Sequence, residues 1–147
     1  MQVAVSDRLG WVITVLAVIG ILLSALSVYN HYKKEPTGYC DFGETFNCDA
    51  VNKSPYSHIG PVPVAAIGVA GYIFLLALSR VRRDNKPLSA LLIVSALGAT
   101  GFSVYLTYIE AKVLLQYCII CLGSLLCISL IAILAIIRHV STKELVF

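Results

Sequence analysis

Four of the five cysteines in this 147-residue chain fall into two pairs, and their spacing suggests redox chemistry. Cys118-Ile-Ile-Cys121 is a C-x-x-C near the start of an apolar run. Two cysteines three apart on a helix lie on one face, so their sulfurs can close a small disulfide ring or stand open as a dithiol. A helix N-terminus carries partial positive charge and lowers the pKa of a nearby thiol. The thiolate is the attacking species, so such a pair is suited to fast thiol–disulfide exchange. Ile119 and Ile120 make the site apolar.

The other pair brackets the loop Cys40-Asp-Phe-Gly-Glu-Thr-Phe-Asn-Cys48. Gly43 supplies a turn, Phe42 and Phe46 can dip into an interface, and Asp41 and Glu44 stay wet. Such a loop can carry a disulfide between an external partner and a buried site, although a purely structural disulfide also fits it. A zinc site built from all four thiols is the other alternative. Its usual tight turns are not matched by the Cys40–Cys48 gap, and no histidine lies near the C-x-x-C, so no metal is expected. Cys127 sits deeper in the apolar run and reads as a small hydrophobe. Asn47 can cap a short half-helix over Cys48–Asn52, stopped before Pro55 and lying over the protein's outer mouth as a lid. The prolines from Pro55 to Pro63 suit a helix entrance. His58 reads as a solvated boundary residue rather than a proton relay.

The elements that must position these residues are membrane helices. The chain is 59% hydrophobic and 13% charged, with a mean hydropathy of +0.86. Soluble domains are roughly half apolar and a quarter charged. About 20 apolar residues cross a bilayer core of roughly 30 Å. The runs at 9–29, 59–79, 88–109 and 113–137 meet that length, and none contains Asp, Glu, Lys or Arg. They predict a single all-α integral membrane domain over 1–147, a bundle of four transmembrane helices with its redox loop at 30–58. The first run exceeds a signal-peptide core and has no small-x-small cleavage site before the polar stretch, so it is expected to stay in the mature chain. Arg8, Arg80, Arg82, Arg83, Lys86, Arg138 and Lys143 outnumber Lys33, Lys34, Lys53 and Lys112 on the opposite side. The positive-inside rule then puts both termini in the cytoplasm and both cysteine pairs on the outer face, probing a compartment where disulfides persist. The plasma membrane is the expected location. The basic residues cluster at helix ends, so nucleic acid is not an expected partner.

Cys-x7-Cys in an outer loop, Ser54-Pro-Tyr and Gly60-x-Val-Pro63 before the second helix, and C-x-x-C at the fourth helix together resemble the vitamin K epoxide reductase family. Cys40, Asp41, Gly43, Cys48, Ser54, Gly60, Pro63, Gly68, Tyr72, Cys118 and Cys121 carry that resemblance. It implies a four-helix bundle holding a quinone of the ubiquinone, menaquinone or vitamin K type beside the C-x-x-C. It also implies that Cys118 and Cys121 are the catalytic pair, with Cys121 next to the quinone. Cys40 and Cys48 would be the shuttle, Cys48 exchanging with Cys118, and Ser54 would help hold the lid. The quinone pocket is expected to be bordered by Ser54, Ala65, Gly68, Tyr72, Phe46 and Tyr117. Tyr39 and Phe42 are further aromatic neighbours. Small residues on helix two (Ala66, Gly68, Ala70, Gly71) and helix three (Ser95, Ala99, Ser103, Thr107) read either as packing faces or as quinone contacts. The vertebrate enzymes have an asparagine on helix two and a tyrosine after the C-x-x-C. Here Val64-Ala65-Ala66 and Leu125 stand there, which points to quinone rather than epoxide reduction. Many bacterial relatives carry a fused thioredoxin-like domain. In this sequence the expected thiol partner is instead a separate DsbA-like protein of the thioredoxin fold. A related oxidase family of the DsbB type places its C-x-x-C in the first outer loop, and the order here differs. A non-enzymatic metal-binding membrane module is the alternative from outside redox chemistry.

Overall fold

A computed structural model describes residues 2–80 and 86–143. Arg82 and Arg83 of the basic loop lie outside the described residues. The elements run α1 (Gln2–Tyr32), β1 (Asp41–Phe42), β2 (Phe46–Asn47), α2 (Cys48–Asn52), β3 (His58–Ile59), β4 (Val62–Pro63), α3 (Val64–Arg80), α4 (Lys86–Ile109) and α5 (Ile119–Lys143). Stretches within α1, α4 with its π-helical extension, and α5 are long and apolar enough to cross a membrane. The fourth apolar helix, α3, has 17 residues. The chain is a multi-pass membrane protein.

Two helix starts differ from the sequence expectation, and each has a local cause. The second apolar run begins at Ile59, but Ile59 pairs with Val62 in a two-residue hairpin around Gly60, whose φ is +61°. Only glycine takes that conformation without cost, and α3 therefore starts at Val64. The fourth run begins at Val113, but α4 continues as a π-helical turn over Glu110–Leu114 and ends at Leu115 with a left-handed φ of 53°. The short gap between the third and fourth apolar runs, Glu110–Lys112, is thus helical, and α5 starts six residues late, at Ile119.

In a membrane, helices associate through close packing and buried polar contacts rather than through exclusion of water. Ala17 of α1, Ala96 of α4 and Ala135 of α5 are buried in the core beside Ile13, Leu75 and Ile131. α1 packs along α3 and α5, and α4 packs along α5, whereas α3 and α4 meet over a much smaller face. That weak seam leaves room for a cavity. At the basic end, Arg138 donates to the Ser79 carbonyl at 3.2 Å, closing the last turn of α3.

Of the glycines, Gly20 has the closest neighbour, Tyr72. A Cβ on Gly20 would overlap the Tyr72 ring. That ring cannot easily retreat, because its hydroxyl donates to the Ser124 carbonyl at 2.7 Å and lies 2.9 Å from Ser124 Oγ. Gly20→Ala is therefore expected to destabilise the fold by about 1–3 kcal/mol through overpacking. Gly98→Ala, where a Cβ meets no atom within 4 Å, is expected to leave stability nearly unchanged. Thermal unfolding in detergent, followed by circular dichroism, checks the contrast. Equal midpoints for the two variants would contradict it.

Candidate redox site

The site starts from a backbone junction. Gly43, at φ +68°, turns the β1–β2 hairpin that pairs Asp41 with Asn47 and Phe42 with Phe46. The hairpin also bonds to the strand-like residue before α5. Tyr117 N donates to Thr45 O at 2.9 Å, and Asn47 N donates to Tyr117 O at 3.1 Å. The residues following this bridge are Cys48 and Cys118, so the bridge sets them side by side, with their sulfurs 3.4 Å apart. Cys48 is joined to Cys40 in a disulfide, and Cys40, Cys48 and Cys118 are fully buried.

Asn47 then caps α2, its Oδ1 accepting from Ala50 N at 2.8 Å. At the other end of α2, Ser54 Oγ donates to Val51 O at 2.8 Å. Thr37 N donates to Asp49 at 2.7 Å, and Ser27 Oγ donates to Asn52 Oδ1 at 2.5 Å. His31 Nδ1 lies 2.5 Å from Asn52 O. These bonds seat the short helix against α1 and aim Asn52 Nδ2 at Cys118 Sγ, 4.0 Å away.

Cys118 is not inside the fourth helix, as the sequence suggested, but stands at its N-cap position. Its carbonyl accepts the first helical bond, from Leu122 N at 2.9 Å. Its sulfur takes the place of a capping serine oxygen, accepting from Cys121 N at 3.4 Å. A hydrogen bond from the Cys121 thiol, with help from backbone N–H groups, outweighs burial and holds the Cys118 thiol below the ordinary cysteine range. Cys118 is therefore the sulfur best prepared to act as a thiolate.

Cys121 lies on the wall of a cavity of about 410 Å³ that opens along the α3–α4 seam. Ser54, Ala65, Gly68 and Tyr72 all border it. Phe46 and Tyr117 do not. Their rings stand 6.0 Å apart against each other beside the bridge. Tyr39 donates to Asn30 Oδ1 at 2.6 Å, and Phe42 is exposed. His58 is exposed, with its ring 6.4 Å from that of His31. Gly68, Gly71, Ala99, Ser103 and Thr107 face the cavity, so much of the small-residue stripe leaves space rather than filling it. Cys127 lies in the helix core.

The cavity fits a quinone ring. A Cβ at Gly71 or Gly98 would meet no protein atom within 4 Å, so the backbone there cradles open space. Asn52 and Ser54 line the space at its α2 end, and Cys121 lines it too. Val64 and Ala65, of the Val64-Ala65-Ala66 stretch, present apolar side chains to it.

Sequence reasoning missed Glu110. It is 3% exposed, and its Oε2 accepts from Cys118 N at 3.1 Å. The available signal was an acidic residue at the end of an uncharged helix, eight positions before the C-x-x-C. Asn52 and Ser124 were also missed. Compared with known families, the chain matches the family model described as the vitamin K epoxide reductase family over residues 11–136.

Proposed function

The chain belongs to the vitamin K epoxide reductase family, whose members are oxidoreductases acting on disulfides, and on that premise we propose that it is a membrane thiol:quinone oxidoreductase supporting disulfide formation. One observation carries the reading. The Cys118–Cys121 pair touches Cys48 on one side, at 3.4 Å, and the quinone-sized cavity on the other.

In this reading all four apolar helices span the membrane, with the basic end cytoplasmic and the cysteines on the outer face of the plasma membrane. A separate DsbA-like protein, reduced by its own substrates, attacks the disulfide at Cys40 and releases Cys48 as thiolate. The partner's second thiol then frees Cys40. Cys48 attacks Cys118 of a Cys118–Cys121 disulfide, releasing Cys121. Cys40 closes on Cys48 and releases Cys118. The arrangement of sulfurs matches the end of this handover, with Cys40 and Cys48 joined and Cys118 and Cys121 free.

α2 and its hairpin serve as the lid. Cys40 is fully buried, so the hairpin has to swing for a partner to reach it. Ser54 keeps the end of α2 closed while it does. A quinone bound beside Cys121 supplies an acceptor for two electrons and two protons. Ser54, Asn52 and the glycine-lined wall would hold it, and Tyr72, tied to Ser124, would fix the far side. Val64 and Leu125 offer no polar side chain, so the reading favours a quinone over an epoxide.

The test uses the purified protein in detergent, a reduced thioredoxin-fold donor and a short-chain quinone. Donor-dependent loss of quinone absorbance is expected. Stoichiometric zinc with no quinone reduction would favour the metal-binding alternative instead.

A further inference from the structure

Glu110 is a buried carboxylate that the handover does not use. Among the described residues, no cation pairs with Glu110. Burying a charge without a counter-ion is costly unless hydrogen bonds compensate. Glu110 has one such bond, and it comes from the redox pair. Cys118 N donates to its Oε2 at 3.1 Å, and the Cys121 thiol, which hydrogen-bonds Cys118, faces the same carboxyl. Its own carbonyl accepts from Leu115 N and Gln116 N, which fixes the π-helical turn that carries it. Glu110 also borders the cavity, beside Cys121.

The geometry points to Glu110 as the proton carrier of the Cys118–Cys121 pair, taking the Cys121 proton as that sulfur joins Cys118 and passing it toward an acceptor in the cavity. This rests on the reading that the pair reduces a quinone. In the step, the Cys121 S–H bond breaks and the Cys118–Cys121 S–S bond forms. Two electrons leave for the quinone-class acceptor. Cys118 enters as thiolate and brings no proton. The acceptor's two protons therefore come from Cys121, by way of Glu110, and from water at the cavity mouth. Before the step, the site holds a thiolate and a carboxylate. Once Glu110 has passed its proton on, the site holds a disulfide and a carboxylate, and the acceptor holds two electrons and two protons, so charge balances.

The titratable groups facing Glu110 are Cys118 and Cys121. Asp49, on the neighbouring short helix, is engaged by Thr37 N and Lys53. Lys112, on the same turn as Glu110, is exposed.

Glu110→Gln keeps an oxygen for the Cys118 N–H but cannot take up a proton, whereas Glu110→Asp keeps the acid on a shorter arm. Two measurements test the role. The first needs no acceptor: alkylation of Cys121 by a small neutral reagent across pH 6–9, with the site assigned by mass spectrometry. The expected result is alkylation about tenfold faster near neutral pH in Glu110→Gln, because the carboxylate that holds the Cys121 proton and repels its thiolate is gone, with a smaller effect in Glu110→Asp. The second is turnover, where kcat should fall by about 10²-fold in Glu110→Gln while KM for the quinone changes far less. Wild-type alkylation rates and wild-type kcat in Glu110→Gln would overturn the proposal. If that variant fails to fold, Glu110→Asp with both rates unchanged from wild type and no shift in pH profile would overturn it equally. Should the wild-type protein reduce no quinone, the function reading fails. Glu110-dependent alkylation of Cys121 would then still support proton uptake by this carboxylate.

Discussion

Cys121→Ser should abolish donor-driven quinone reduction, with a loss on the order of 10³-fold or more. Cys121 is the one redox sulfur that lines the cavity, whereas Cys40, Cys48 and Cys118 are sealed on the far side of the C-x-x-C. Without it, electrons arriving at Cys118 have no outlet. The variant should still fold, because serine keeps the Cys121 backbone N–H that caps on Cys118 Sγ at 3.4 Å. Adding Cys40→Ser removes the competing partner of Cys48. Mild oxidation of the double variant should then join Cys48 to Cys118, whose sulfurs already lie 3.4 Å apart. Peptide mapping under non-reducing conditions reads that linkage directly. Turnover within tenfold of wild type in Cys121→Ser would sink the assignment.

Cys48→Ser separates the shuttle from the pair it feeds. Turnover driven by a thioredoxin-fold donor should fall about 10²-fold or more, because no sulfur remains to carry the exchange to Cys118. Turnover driven by a small dithiol should survive to a much larger extent, because such a reagent can enter the cavity and reduce Cys118–Cys121 from the Cys121 side. Parallel stopped-flow assays with the two donors make the comparison. An unchanged rate with the protein donor would show that Cys48 is no shuttle.

The sequence made the chemistry more legible than its placement. The four apolar runs, the cap at Asn47 and the C-x-x-C at a helix start are local signals, written in consecutive residues, and each has its counterpart in the structure. The errors come from contacts that join distant positions. Val113 to Tyr117 reads as helix because it is apolar, yet its backbone is committed to the turn after Glu110 and to the hairpin at Thr45 and Asn47. Phe46 and Tyr117 looked like quinone neighbours because they flank the cysteines. The bridge that aligns Cys48 with Cys118 turns their rings toward each other instead. Glu110 drew no attention because nothing beside it in sequence reveals a partner eight residues on. Tyr72 was selected for its ring, but its setting depends on Gly20 and Ser124, which hydropathy cannot relate to it.

The 17 residues of α3 rise only about 26 Å, less than the roughly 30 Å of an average hydrocarbon core. Its N-terminal end continues into the β3–β4 hairpin, where Ile59 and Val62 are exposed. Irregular backbone is not tolerated against lipid tails, so with α3 spanning the membrane as proposed, the bilayer would thin beside this hairpin. Thinning would lower the lipid headgroups toward the α3–α4 seam. For the proposed quinone reduction, hydrophobic mismatch would give a lipid-borne acceptor a shorter path from the membrane surface to Cys121 and make the local thickness of the bilayer part of how the cavity is reached.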